Sequence, residues 1–165
     1  MNRSTCLVVL FVLGVSLVSG AQEKPLCFTS KDNVFKLEVC VPKEAPYKEA
    51  YLQLKVLQNA PVILEMRVSG EAEIEGVTVW LPLVTTTSSA TTRDPKAGAT
   101  FSRGNGVPDE RVLREPLSRF YTEKQVPAGA RITLSVSLIG VRETPTGRDF
   151  PTVSLEGIKF PMGKP

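Results

Sequence analysis

Which chemistry this chain of 165 residues can perform is narrowed first by a missing side chain: it contains no histidine. Ser-His-Asp and Cys-His mechanisms, histidine general bases and histidine-ligated zinc are therefore excluded. The S-x-x-K, G-x-S-x-G and phosphate-loop patterns do not occur either. A pair of carboxylates could still hydrolyse a glycoside. That reaction needs a cleft, and a small sandwich that uses its inner faces for a core has little room for one. The expectation is a protein that is not an enzyme and carries no cofactor.

The remaining candidates are side chains suited to recognition. Trp80 is the sole tryptophan. An exposed indole on a sheet face is a stacking platform for a sugar ring or a partner side chain. Tryptophan is highly buried on average, so the sequence favours a gap-filling role under a loop. Arg103, Arg111, Arg114 and Arg119 cluster in the chain, with Lys124 close behind. They could hold a carboxylate- or sulfate-bearing partner bidentately. The favoured reading is a solvated face balanced by Asp109, Glu110, Glu115 and Glu123. Glu71, Glu73 and Glu75 alternate and would line one side of a strand, where calcium could use them. A guarded strand edge is the commoner role, and no metal is expected.

Cys27 and Cys40 flank a segment with Lys31, Asp32 and Asn33 near its middle. A hairpin would bring the two close to opposite each other, and a disulfide is expected in an oxidising compartment. The spacing is not C-x-x-C and no other soft ligand is near, which argues against a redox or metal pair.

That compartment is consistent with the start of the chain. Residues 1–20 hold Arg3, an apolar run from Cys6 to Leu17, and then Val18, Ser19 and Gly20. The run is short for a bilayer span and its end suits signal peptidase, so these residues read as a cleaved secretory signal. Residues 21–165 read as a single domain, secreted or periplasmic, with no further membrane span. They carry nineteen basic and seventeen acidic residues, a net charge of +2. This gives no case for nucleic acid. Residues 21–85 hold seven bases and nine acids and residues 86–165 twelve and eight, so the halves differ in sign. No N-x-S/T acceptor occurs after the signal.

The elements that must position these side chains are strands. Residues 51–84 show three apolar runs cut by Asn59, Ala60 and Pro61 and by Ser69 and Gly70, which predicts a three-stranded antiparallel meander. In its first run Leu52, Leu54 and Val56 alternate with Tyr51, Gln53 and Lys55. In its second, Val62, Leu64, Met66 and Val68 alternate with Ile63, Glu65 and Arg67. The third places Val77, Val79, Leu81 and Leu83 inward and Thr78, Trp80 and Pro82 on the reverse. Residues 85–110 are rich in Ser, Thr and Gly, and form either a long functional loop or a loop with a further strand, with residues 99–102 a brief strand. Asp109 could cap a helical turn holding Arg111 and Arg114 that Pro116 interrupts. Residues 131–139 and 153–160 alternate cleanly and close the chain, with a turn-rich loop at 144–151.

About eight strands and no helix predict an all-β fold, a two-sheet antiparallel β-sandwich in jelly-roll or immunoglobulin-like order. The stretch from Val126 to Phe160 is similar in periodicity to the closing strands of secreted jelly-roll carbohydrate-binding modules. It has no tryptophan or tyrosine pair to stack on sugar, and no family is assigned from it. The function expected is a non-enzymatic recognition module that binds an extracellular or envelope protein or glycan. A self-associating structural subunit of an envelope or surface assembly is the alternative, and a secreted inhibitor using the 85–110 loop a third.

Overall fold

A computed structural model describes residues 24–31, 35–58, 62–87, 89–94, 98–102 and 111–163. The expected signal at 1–20, the break at 59–61, Arg103, Asp109 and Glu110 lie outside these residues. Among the described residues eleven strands appear in chain order: β1 (Leu26–Thr29), β2 (Lys36–Val41), β3 (Tyr51–Gln58), β4 (Val62–Ile74), β5 (Val77–Thr86), β6 (Ser89–Asp94), β7 (Gly98–Ser102), β8 (Leu113–Pro116), β9 (Arg131–Thr144), β10 (Gly147–Asp149) and β11 (Thr152–Pro161). Two 3-10 turns, Tyr47–Glu49 and Leu117–Arg119, are the only helical segments among the described residues. No helix there is long and apolar enough to cross a membrane.

β6 and β7 pair as a separate two-stranded sheet, and the other nine strands form two antiparallel sheets. One has the order β1-β2-β3-β8; the other runs β10-β9-β4-β5, with β11 also paired to β9. Alternation builds the core between them. On β9, Ile132, Leu134, Val136 and Leu138 are buried between half-exposed Thr133, Ser135 and Ser137. They meet Leu37, Val39, Leu52, Leu54 and Val56 of the facing sheet in one apolar cluster. Each such side chain contributes about 1.5–3 kcal/mol on burial. Leu117, Phe120, Tyr121 and Val126, from the connection between β8 and β9, close one end of that core. The Tyr47 hydroxyl donates to the Tyr121 carbonyl at 2.9 Å and ties the 42–50 connector to this end.

The all-β sandwich agrees with the sequence expectation, and the eight expected strands are present. β8 and β10 were not foreseen, and β6 is the further strand left as an alternative for residues 85–110. β6 pairs with β7, so the 85–110 stretch holds an extra strand. β8 replaces the helical turn expected around Arg111 and Arg114, because Leu113 and Glu115 alternate inward while Arg114 and Pro116 face out. Leu113 pairs with Leu54, and this sheet edge outweighs the local capping signal.

Two further expectations are corrected. The meander does not form: β3 pairs with β2 and β8, whereas β4 lies in the other sheet between β9 and β5. β3 and β4, expected to be neighbours, therefore belong to opposite layers. Nor does β4 break at Ser69 and Gly70; it runs on to Ile74, and the turn falls at Glu75 and Gly76. Glu71 and Glu73 consequently sit on a central strand, not on a guarded edge.

Candidate functional site

The hairpin of β4 and β5 sets the geometry of the most exposed aromatic ring. Its two turn residues, Glu75 and Gly76, have φ of 51° and 81°, the positive values of the tight turn whose twist matches paired strands. Glycine meets that demand at the second position, and glutamate accepts it at the first. Further along, Val68 opposes Val84 while Gly70 opposes Leu81, so Ser69 faces both Pro82 and Leu83. This bulge adds one residue to β5 and reverses its facing. Leu81 enters the core at 4% exposure, and Leu83, expected inside, is displaced to the surface at 61%. Val77 and Val79, also expected inside, are 62% and 43% exposed because they lie toward the hairpin tip.

Trp80 stands 80% exposed. The gap-filling role favoured by average burial is therefore corrected: the ring faces solvent. Cross-strand pairing places Glu71 opposite Trp80, Thr133 opposite Glu71, and Lys159 opposite Thr133. These four positions form one row across β5, β4, β9 and β11. The adjacent row holds Thr78, Glu73 and Arg131, with Arg131 Nη1 3.7 Å from Glu73 Oε1. On the other side, Thr85, Arg67, Ser137 and Ser154 run in line, the two serine hydroxyls 2.8 Å apart and Arg67 bonded to Glu65. The outer face thus carries hydroxyls and charged side chains, with exposed Leu83 in the row between and one large ring on it. Among the described residues no group of three or more acidic or cysteine side chains gathers to hold a metal.

Of the candidate arginines, Arg103 lies outside the described residues, and Arg114 and Arg119 are each engaged by another side chain. Arg114 stacks over the Tyr51 ring at 3.6 Å, on the other sheet. Arg119 Nη1 lies 2.6 Å from Glu115 Oε2, a carboxylate only 2% exposed. Arg111 is exposed just before β8. Arg114 also borders an open groove of about 970 Å³ beside residues 42–51, where Lys43 and Lys48 alternate with Glu44 and Glu49. The mixed signs there favour no one ligand charge.

Cys27 and Cys40 are directly paired across β1 and β2 and joined as a disulfide. One buried group went unnoticed in the sequence. The Tyr121 hydroxyl is enclosed with no hydrogen-bond partner, and burial pushes its pKa from 10.0 up to about 12. Thr133 and Lys159 were likewise unmarked as neighbours of Trp80, since only strand register places them in its row.

No protein-family model matches this chain, and no curated protein matches it significantly.

Proposed function

We propose that this chain is a non-enzymatic recognition module that works outside the cytoplasm and binds a glycan on the outer face around Trp80. The observation that carries this reading is the 80% exposure of that indole on β5, the edge strand of the sheet, where it stands on the outer face. A sugar ring offers an apolar C–H face that stacks on an aromatic ring. Its rim of hydroxyls needs acceptors and donors close by. Glu71 is the cross-strand neighbour of Trp80, and Thr133 and Lys159 continue the row. Glu73, already paired with Arg131, supplies a fixed acceptor in the next row. An extracellular or periplasmic setting is supported by the disulfide and by the character of residues 1–20.

Trp80 is the sole tryptophan, so intrinsic fluorescence reports this position alone. Titration with hits from a glycan array should shift or quench its emission. Trp80→Ala should abolish binding, Trp80→Phe should weaken it, and Glu71→Gln should reduce it. Glycan binding that survives Trp80→Ala, or an array without a hit, would refute the reading.

A further inference from the structure

The tight turn fixes which backbone groups of β5 are used. In a two-residue hairpin the closing residues, here Ile74 and Val77, exchange both backbone hydrogen bonds. Alternation then aims the N–H and C=O of Val77, Val79 and Leu81 at β4, and those of Thr78 and Trp80 away from it. Among the described residues no strand pairs with that outward edge. Pro82 stands next in the outward series, and its missing N–H ends the series there.

Edge strands are usually guarded by charge, by shortness or by cover. β5 runs ten residues without one charged side chain. Val77, Val79 and Trp80 are exposed along the same stretch.

We propose that this edge pairs antiparallel with the same strand of a second copy of the chain, across a twofold axis through Val79. Thr78 of each chain then exchanges both hydrogen bonds with Trp80 of the other, and Val77 lies opposite Leu81 of the other. This register uses every free group of Thr78 and Trp80. Moving it one way calls on the absent N–H of Pro82; moving it the other way runs into the turn at Gly76. The edge carries no charge with which to select a foreign strand, and two identical strands meet here without like charges between them. The two larger sheets become continuous. The two Trp80 rings become diagonal neighbours on one face, about 7–8 Å apart, which would join two platforms into one surface. The pairing goes beyond the glycan reading and does not depend on it.

The test is molar mass by light scattering and sedimentation over a concentration series, with the disulfide intact. The expected result is twice the chain mass, falling toward one chain on dilution. Val79→Lys puts two like charges at the axis, and Thr78→Pro removes one edge donor without touching a bond to β4. Both should be monomeric, with circular dichroism showing that they remain folded. Val79→Cys should give a cross-linked dimer on mild oxidation, because directly opposed residues of that kind lie about 4.5 Å apart at Cα. Single-chain mass at every concentration would overturn the proposal. So would a dimer that persists in folded Thr78→Pro, or a Val79→Cys protein that fails to cross-link. A monomer that still binds glycan through Trp80 would overturn the pairing and leave the proposed function standing.

Discussion

A β-carbon at Gly70 would clash with the carbonyl oxygen of Thr133 and lie 2.9 Å from Leu134 Cδ2. β4 and β9 are packed so closely there that only hydrogen fits, and the obstacle is backbone, which cannot swing aside. Gly70→Ala should destabilise the fold by about 3 kcal/mol or more. Urea denaturation followed by Trp80 fluorescence measures it. A loss under about 1 kcal/mol would mean that the two strands part easily.

Arg119 and Glu115 form an ion pair whose carboxylate is almost wholly enclosed. Arg119→Ala leaves a buried charge without its main counterion. A fully buried pair loses roughly 3–5 kcal/mol when one partner goes. Arg119 is about a third exposed, so water screens the loss, and about 2 kcal/mol is expected. Adding Glu115→Gln should restore much of it. Denaturant midpoints of the single and double variants form the cycle that checks this.

Tyr121 makes alkaline stability a readout of burial. Its phenol keeps its proton in the folded protein up to about pH 12, against 10.0 for an ordinary tyrosine. The folded form therefore holds the proton more tightly than the unfolded chain between these values. This contribution is fully present below pH 10 and is lost as pH rises through 12, at up to about 1.4 kcal/mol per pH unit. Tyr121→Phe should lose less stability than the wild type over that window. At neutral pH it should be as stable or more so, because the hydroxyl it removes has no partner. Denaturation midpoints at several pH values separate the two proteins.

The bond between Cys27 and Cys40 closes a loop with a sequence separation of 13. Reduction, or replacement of both by serine, should cost about 3 kcal/mol in the chain-entropy picture. The bond joins β1 to β2, in the sheet opposite Trp80. Reduction that lowers the thermal midpoint while leaving the folded protein's Trp80 emission unchanged is the expected pair of observations.

Much of the fold was legible because alternation is a local property. Leu134 and Val136 announce a buried face whatever they pack against, and the 131–139 and 153–160 runs became β9 and β11. Pairing is not local. The apolar runs at 51–58 and 62–68 look like neighbours in one sheet, yet β3 and β4 belong to opposite layers. β8 was hidden because four residues are too few to show a period, and Asp109 with Arg111 imitated a helix start. The turn at Glu75 and Gly76 was missed because its first residue is not one of the usual positive-φ types.

The candidate site shows the same division. The sequence by itself determined that no imidazole chemistry is available, that the two cysteines suit one bridge, and that Trp80 is the single large ring to consider, because these follow from residue type and spacing. Tertiary structure alone decided that Trp80 faces solvent opposite Glu71, that Arg119 is committed to Glu115, and that Arg114 lies on the other sheet. The physical reason is pairing between strands distant in sequence: the register of β4 sets Glu71 against Trp80, β8 pairs with β3 and carries Arg114 to the other sheet, and the bulge opposite Ser69, beyond Trp80, turns Leu83 outward. One extra residue in a strand of period two reverses every side chain beyond it, and nothing in β5 alone records where that residue is inserted.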